Sequence, residues 1–362
     1  MTRPTGAMKI GCDRHQEGGV PMISRTLTAA MAAVLLTGAS AKAETSVVFN
    51  SYLPEHNEIM RNVIRPWANA VAEASDGSIE IDFTASSLAP PPRQLEMIRA
   101  GIADAAMNIS SFTASQWLAP LISELPVLFD RDSAKAHSIA LWRTYEKFFR
   151  EAEPIDGVHV VALVALTGNH IWNNKRPVKQ AEDVSGLKLR VNPNGVPVIA
   201  AMGGVIVSRP AVETFELVER GVVDGTVLPI SSVEGLGVLE EIKYATLYPG
   251  SLYRSTASII FNQKVWDAMP EPDRAAIEKV SGEALAALAG GNLDDATEQA
   301  RAELEPAGIE VIEAGADQIT QLRQSEEVEA AIAKWKEKVA GLGLDPDDVI
   351  SFYRDQLEAL DN

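Results

Sequence analysis

Residues 181–225 read AEDVSGLKLRVNPNGVPVIAAMGGVIVSRPAVETFELVERGVVDG, and this stretch decides the fold class. It begins with a short run that has the pattern of a strand, and Arg190 lies at the carboxyl end of that run. The periodicity of the hydrophobic residues predicts, in order, strand 187–191, helix 196–202, strand 205–207, helix 211–220 and strand 222–227. Strands and helices that alternate in this way are typical of a parallel α/β sheet.

The same alternation continues on both sides of this stretch. Before it, the pattern predicts strand 46–51, helix 59–75, strand 78–83, helix 93–100, strand 103–109 and strand 158–166. After it, the pattern predicts a long strand at 253–262 and a helical stretch at 270–305 with Gly290 and Gly291 near its middle. No low-complexity linker divides the sequence, so we expect two lobes that are joined by crossing strands.

The composition limits both the size of the fold and the choice of partners. The chain has 362 residues, 46% of them hydrophobic, which is too long for one ordinary domain and favours two lobes. The formal charge of −18 argues against nucleic acid and against an anionic membrane surface as partners. Exposed charges are screened within about 10 Å, so this charge is compatible with a local basic pocket for an anionic ligand.

The sequence lacks the common motifs of catalysis and cofactor binding. It contains no P-loop, no G-x-G-x-x-G, no G-x-S-x-G and no H-E-x-x-H, and no set of zinc ligands can be assembled. We therefore predict no catalytic residue, no metal site and no cofactor.

The N-terminus has the features of a secretory signal peptide. Met22 and Arg25 precede a short apolar run at 29–36, and the A-x-A pattern at 41–43 predicts cleavage before Glu44. Residues 1–43 are thus an extended N-terminus and signal peptide, with Met22 as the predicted true start. The single cysteine, Cys12, falls within the removed part, so the mature chain has no disulfide and no cysteine for a lipid anchor.

Membrane insertion of the mature chain is not expected. The apolar run at 29–36 is too short to cross a bilayer, and no later segment approaches the roughly 20 apolar residues that a spanning helix needs. Together with the signal peptide, this predicts a free periplasmic protein.

Several motifs, taken in order, resemble a known family. They are SYLPEH at 51–56, SLAP at 87–90, QLEMIRAGIAD at 94–104, Arg190, Pro210-x-x-Glu213 and GVVDG at 221–225. This series resembles the DctP-like solute-binding proteins of the tripartite ATP-independent periplasmic (TRAP) transporters, and the resemblance covers nearly all of residues 44–362. It implies a type II periplasmic-binding-protein-like fold, in which two α/β lobes enclose a ligand cleft and a long helix braces both.

The resemblance also implies the boundaries of the lobes. Lobe I is expected to contain residues 44–167 and about 256–295. Lobe II is expected to contain residues 168–255 and about 296–345, and a C-terminal helix is expected at 346–362.

Arg190 is the central residue of the site that the resemblance implies. In the family, the arginine at the end of this strand binds the carboxylate of an organic acid. A guanidinium suits that role because it is permanently charged and offers a planar fork of donors that can pair with both carboxylate oxygens. Local sequence alone is equally compatible with a surface arginine in a structural salt bridge.

Two departures from the family pattern indicate the kind of ligand. Where the sialic-acid branch has a second arginine, this chain has His170, and Leu228 stands where an amide is expected. A heavily hydroxylated sugar acid would lack hydrogen-bond partners in such a pocket. We therefore predict a monocarboxylate with an apolar or aromatic body, for which His170 can donate a second hydrogen bond.

Other candidate ligand-binding residues follow predicted strands, at the edge where open α/β sheets bind ligands. They are Tyr52, His56, Asn108, Phe112, Trp172 and Leu228. Four of them also have an ordinary structural interpretation: Tyr52 and His56 as part of a helix-capping loop, Asn108 as a turn residue and Trp172 as a core residue.

These observations predict a receptor that binds an organic acid and delivers it to the integral membrane subunits of a TRAP-type permease. A periplasmic enzyme that acts on a carboxylated substrate is an alternative, as is a ligand-sensing binding protein. A C4-dicarboxylate is the alternative ligand.

Overall fold

The computed structural model describes residues 45–360, so the predicted signal peptide lies outside the described residues. Eleven strands occur in the described part: β1 (Thr45–Asn50), β2 (Ile79–Phe83), β3 (Ala105–Ile109), β4 (Val158–Ala165), β5 (Asn169–Asn173), β6 (Lys188–Val191), β7 (Val205–Ser208), β8 (Gly225–Pro229), β9 (Tyr244–Leu247), β10 (Thr256–Asn262) and β11 (Glu310–Glu313).

Thirteen α-helices occur in the same residues: α1 (Arg65–Ala74), α2 (Gln94–Arg99), α3 (Ala134–Thr144), α4 (Arg150–Ala152), α5 (Val196–Ala201), α6 (Thr214–Glu219), α7 (Ile230–Gly235), α8 (Gln263–Ala268), α9 (Glu271–Val280), α10 (Gly282–Glu303), α11 (Ala316–Arg323), α12 (Glu326–Gly341) and α13 (Pro346–Ala359). A π-helical turn at Met60–Ile64 leads into α1, and a second at Tyr145–Phe149 follows α3. Within residues 45–360, none of the helices combines the length and the apolarity that crossing a membrane requires.

The first sheet has the strand order β2-β1-β3-β10-β4. Strand β1 is parallel to both β2 and β3, whereas β10 is antiparallel to β3 and to β4. Every residue of the central strands β3 and β10 is buried, because helices cover both faces of this sheet. That burial explains why these strands read as continuous apolar runs in the sequence.

The second sheet has the strand order β11-β9-β5-β8-β6-β7. Strands β8, β6 and β7 are parallel, and so are β9 and β11. Strand β5 lies between these two groups and is antiparallel to both of its neighbours, β8 and β9. Separate hydrophobic cores pack against the two faces of this sheet, so it is also the middle layer of an α/β sandwich.

The chain passes between the sheets several times. It leaves the first sheet after β4, and it returns between β9 and β10. Helix α10 spans both cores: Leu285 and Leu293 pack against the first sheet, and Leu304, just after the helix, packs against the second. The bracing helix that the family resemblance implied is therefore α10.

Glycines explain two details of the predicted helical stretch at 270–305. The stretch is broken at Ser281, because Gly282 has a left-handed φ of +55° and a Cβ there would lie 2.8 Å from the Trp142 ring. Gly290 lies within α10, where a Cβ would come within 2.4 Å of the Lys135 Cα. The lack of a side chain at Gly290 therefore allows α10 and α3 to pack with their backbones close together.

One predicted strand is shifted along the chain. The run at 222–227 was expected to be the strand, but β8 is Gly225–Pro229. Residues before it form a turn in which Gly221 has a φ of +65° and its N–H donates to the Val218 carbonyl. The shift brings Leu228 and Pro229 to the end of the strand.

Candidate functional site

A cavity of about 60 Å³ lies between the parts of the chain that carry the two sheets. Its lining is largely apolar, with Leu53, Ile59, Ile109, Phe112, Leu166, Pro210, Ala211, Val212, Leu228, Pro229 and Leu236. The polar lining residues are Tyr52, Asn57, Glu58, Asn169, Asn192, Ser232 and Ser255. None of the described residues that line this cavity is Lys, Arg or His.

Strand ends position most of the lining. Tyr52 follows β1, Phe112 follows β3, Asn192 follows β6, and Leu228 is the penultimate residue of β8. The carboxyl edges of the parallel strands in both sheets thus meet at one cavity, as is usual for ligand sites in α/β proteins. The structure brings together three of the predicted site residues, Tyr52, Phe112 and Leu228.

Arg190 is fully buried at the end of β6. Its Nε donates to the Arg209 carbonyl at 2.8 Å, its Nη2 donates to the Asn192 Oδ1, and its Nη1 makes a long contact of 3.4 Å with the Val227 carbonyl. A guanidinium has five N–H donors, so two remain without a protein acceptor among the described residues. Burial lowers the pKa of Arg190 to about 10, and the group therefore stays charged at neutral pH.

Arg190 stands directly behind the wall of the cavity rather than among its lining residues. Asn192, its hydrogen-bond partner, lines the cavity, and the Asn192 Nδ2 donates in turn to the Ser255 Oγ at 3.1 Å. Burial raises the pKa of Tyr52, and the charge of Arg190 opposes that shift. The positive charge therefore acts on the cavity even though the lining contains no cation.

Glu58 is a second ionisable residue of the site. Its side chain is 3% exposed and lines the cavity, and its Oε1 accepts a hydrogen bond from the Ser232 hydroxyl. Its Oε2 has no hydrogen-bond partner among the described residues. Burial raises the pKa of Glu58, against the weaker influence of the Ser231 and Ser232 hydroxyls and of Arg61.

His170 is on β5, directly opposite Leu228 in the sheet, but it does not line the cavity. It is buried, and its Nδ1 accepts the backbone N–H of Tyr248 at 3.1 Å. Burial lowers the pKa of His170 to about 4, so its imidazole is neutral at physiological pH. The structure therefore places this histidine in a supporting position on the strand, and not in contact with the cavity.

Trp172 belongs to the core of the second sheet. Its ring is completely buried, and its Nε1 donates to the Leu228 carbonyl at 2.9 Å. The structure thus places Trp172 behind the site, where it holds the strand that carries Leu228, and no face of the ring is available to stack on a ligand.

Asn108 and His56 also lie away from the cavity. Asn108 is buried on β3, where its Nδ2 donates to the Thr113 Oγ1 at 3.2 Å and to the Ser258 Oγ at 3.4 Å. His56 is exposed on the loop after β1 and is not part of the lining. Its neighbours Asn57 and Glu58, one and two residues further along, are turned into the cavity instead.

Several lining residues were not among the predicted site residues. Asn192 follows the predicted strand at 187–191, and a search for polar residues at strand ends would have found it, whereas Asn169 begins β5, which the periodicity did not predict. Pro210 and its neighbours belong to the family motif but carry no obvious binding chemistry. Glu58 and Ser232 gave no signal, because they are 174 residues apart in sequence and meet only in the fold.

A second cavity, of about 240 Å³, adjoins this region. Its lining includes Ser111, Asn194, Glu124, Trp335 and the exposed Lys338. Ser111 and Asn194 are close in sequence to Phe112 and Asn192, which line the first cavity. We place the ligand site in the first cavity, because only that one adjoins the partners of Arg190. Within residues 45–360, no group of three or more His, Cys, Asp or Glu side chains is arranged to hold a metal ion.

Two α/β sheets joined by crossing segments and a bracing helix, with a buried cavity between them, define a two-lobe solute-binding protein of the type II class. The chain belongs to the DctP family, the bacterial extracellular solute-binding proteins of family 7, whose sequence profile matches residues 49–338. It is therefore a solute receptor of the kind that serves TRAP transporters, and not an enzyme.

Known proteins similar to this chain include several curated relatives and many solved structures. The outer membrane transporter protein TsaT of Comamonas testosteroni is 31% identical over 338 residues, which cover 92% of this chain and 98% of that protein. A TRAP periplasmic solute-binding protein of Bordetella bronchiseptica, solved with bound (R)- and (S)-mandelate, is 27% identical, with a TM-score of 0.81, and covers 87% of this chain and 99% of its own. A TRAP solute-binding protein of Rhodoferax ferrireducens, solved with copurified benzoate, is 20% identical and has a TM-score of 0.78. The match covers 87% of this chain and 98% of the Rhodoferax chain.

Proposed function

We propose that this receptor binds a monocarboxylate with an aromatic or apolar body, and that Arg190 is the partner of the ligand carboxylate. The observation that carries the proposal is the combination of a charged, fully buried arginine with an apolar cavity in front of it. The similar Bordetella bronchiseptica protein, which binds mandelate, supports the same class of ligand.

The carboxylate is expected to bind where Asn192 now accepts from Arg190. Exchanging a neutral amide acceptor for a carboxylate pairs the charge of Arg190 with an opposite charge, and a carboxylate can accept from two guanidinium N–H groups at once. The two unused N–H donors of Arg190 allow the second carboxylate oxygen to be bound as well. The ring of the ligand then packs against Tyr52, Phe112 and Leu228.

The cavity lining disfavours a dicarboxylate. A second carboxylate would be buried among residues that include no Lys, Arg or His. An unpaired buried charge costs several kcal/mol, and contacts with the apolar lining do not compensate for that free energy.

We further propose that the protein is exported, cleaved before Glu44 and active in the periplasm, where it delivers its ligand to the membrane subunits of a TRAP-type permease. The signal-peptide pattern of the N-terminus and the family membership support this location and partner. Recovery of protein that begins at Glu44 from the periplasm, and ligand-dependent association with the permease, are the results that we expect.

Calorimetry with a panel of acids tests the ligand class. We expect mandelate and benzoate to bind more tightly than succinate and sialic acid. We expect Arg190→Ala to reduce the affinity by about 30-fold or more, since loss of a buried charged partner costs about 2–5 kcal/mol. We expect Arg190→Lys to bind weakly as well, because an ammonium keeps the charge but cannot reproduce the planar fork of the guanidinium. Arg209→Lys is the control, because the Arg209 side chain is exposed and only its carbonyl contacts Arg190.

The melting temperature of each variant without ligand shows whether it is folded. Arg190 donates to three protein acceptors, so a lower melting temperature is expected for its variant independently of binding. If folded Arg190→Lys binds as tightly as wild type, or if succinate is the best ligand, the proposal is wrong.

A further inference from the structure

Glu58 adds a chemical feature to the cavity that binding of a carboxylate does not use. It lies at the start of the helical segment that leads into α1, in the part of the chain that carries the first sheet. Its Oε1 accepts from Ser232 on α7, which belongs to the second sheet. The side chain therefore spans the cleft and forms one wall of the cavity.

The protonation state of Glu58 follows from its surroundings. It makes no salt bridge in the described structure, and Arg61, the cation that acts on it, is exposed on the same helix. A carboxylate near a helix N-terminus gains up to about 2 kcal/mol from the helix dipole, whereas an unpaired buried carboxylate loses several. Burial accordingly raises the pKa of Glu58, which favours the protonated acid.

A protonated carboxyl group has an O–H donor, and this donor needs a hydrogen-bond acceptor when it is buried. The Oε1 of Glu58 already accepts from the Ser232 hydroxyl, so the proton belongs on Oε2. That oxygen is buried and makes no hydrogen bond of normal geometry among the described residues, although the Ser231 hydroxyl is close enough to oppose the rise in the pKa of the acid. A buried donor without an acceptor costs free energy that a suitable ligand atom can recover.

Glu58 and Arg190 act on the cavity through different neighbouring residues. Arg190 bonds to Asn192, which contacts Ser255, whereas Glu58 bonds to Ser232. The charge of Arg190 influences Tyr52, while the cation that influences Glu58 is Arg61. A ligand whose carboxylate is held by Arg190 can therefore place a second polar group at Glu58.

We propose that Glu58 is a specificity-determining residue, whose carboxylic acid donates a hydrogen bond to an uncharged oxygen substituent on the ring of the ligand. The inference rests on the proposed aromatic monocarboxylate ligand and narrows it to acids that carry a hydroxyl or carbonyl group away from the carboxylate. Because one net hydrogen bond is involved, the preference for the substituted ligand is about three- to tenfold.

The test compares benzoate with the three isomeric hydroxybenzoates by calorimetry. We expect the best hydroxybenzoate to bind wild type about three- to tenfold more tightly than benzoate. Glu58→Gln keeps a neutral donor of the same shape and is expected to retain this preference. Glu58→Leu removes the donor and is expected to bind benzoate and hydroxybenzoate within twofold of one another.

The ratio of the two affinities is the readout, because any general effect of a variant on folding or lobe closure cancels in it. His56→Ala is the control, since His56 is exposed on the same loop, does not line the cavity and is expected to keep the preference. Wild type that binds benzoate and all hydroxybenzoates equally, or Glu58→Leu that keeps the preference, would overturn the inference and leave the role of Arg190 intact. Wild type that binds none of these acids would overturn the proposed function as well.

Discussion

Glu124 shows how a buried ionisable residue connects the two lobes next to the ligand cleft. Its Oε1 accepts the backbone N–H of Thr256 at 2.7 Å, at the start of β10 in the first sheet. Its Oε2 accepts from the Asn194 Nδ2 at 3.0 Å, just beyond β6 of the second sheet. Burial raises the pKa of Glu124 to about 8 from its ordinary value of 4.5. The acid is therefore neutral in the folded protein at pH 7.

The raised pKa of Glu124 gives its contribution to stability a definite pH dependence. Unfolded Glu124 loses its proton near pH 4.5, whereas folded Glu124 keeps it until about pH 8. Stability from this group is thus complete below pH 4.5 and is lost as the pH rises to 8, at up to about 1.4 kcal/mol per pH unit. We expect Glu124→Gln, which is neutral at every pH, to lack this loss.

Urea unfolding of wild type and Glu124→Gln at several pH values between 5 and 8 measures the effect. Buried histidines such as His170 contribute the opposite trend, because their lowered pKa values destabilise the fold as the pH falls below about 6.5. Their contribution is the same in both proteins and cancels in the difference. A difference in unfolding free energy that does not change with pH would show that Glu124 is ionised in the fold.

At the scale of single residues, the sequence identifies site residues that follow predicted strands. It does not identify site residues that are distant in sequence and come together only in the folded structure. Tyr52, Phe112 and Leu228 were predicted from strand ends, and the structure brings them to one cavity. The sequence left the role of Trp172 open, because a tryptophan near a strand gives the same sequence pattern whether its ring packs in the core or contacts a ligand. Glu58 was not found at all, since its burial depends on Ser232, a distant residue.

Helix α10 shows how a single glycine sets the distance between two elements. A Cβ at Gly290 would lie 2.4 Å from the Lys135 Cα, whereas a Cβ at Gly291 would have no atom within 4 Å. Both glycines are inside the same helix, so replacement by alanine improves helix propensity by up to about 1 kcal/mol at each. Only at Gly290 does this gain compete with a clash between backbones.

We expect Gly291→Ala to raise the free energy of unfolding by about 0.5–1 kcal/mol and Gly290→Ala to lower it by about 1–3 kcal/mol. The pair is a matched comparison, because the substitution, the helix and the reference state are the same. Chemical denaturation of the two variants measures both values. Equal stabilisation by the two alanines would contradict the close packing of α10 on α3.

At the scale of elements, periodicity predicted most strands of the first sheet to within one or two residues. Periodicity failed where tertiary contacts override the local pattern. The predicted helical stretch at 270–305 is interrupted at Ser281, because Gly282 packs against the Trp142 ring. Strand β5 was not predicted as an element, because polar residues at both of its ends, Asn169 and Asn173, hide a strand that is completely buried.

At the scale of the whole molecule, the size of the cavity requires movement of the lobes. The cavity measures about 60 Å³, whereas an apolar cavity of about 150 Å³ holds a benzene ring. A benzoate-sized ligand therefore needs walls that move apart and then close around it. The segments between β4 and β5 and between β9 and β10 connect the sheets, and we expect the hinge there.

A crystal structure of the complex with the tightest-binding aromatic monocarboxylate would show whether Arg190 binds the ligand carboxylate. We expect both carboxylate oxygens within about 3 Å of the Arg190 guanidinium, as in bidentate charge-assisted pairs. The ring is expected between Tyr52, Phe112 and Leu228, in an enlarged form of the first cavity. A ligand bound in the second cavity beside Trp335, or a carboxylate that does not contact Arg190, would contradict the account.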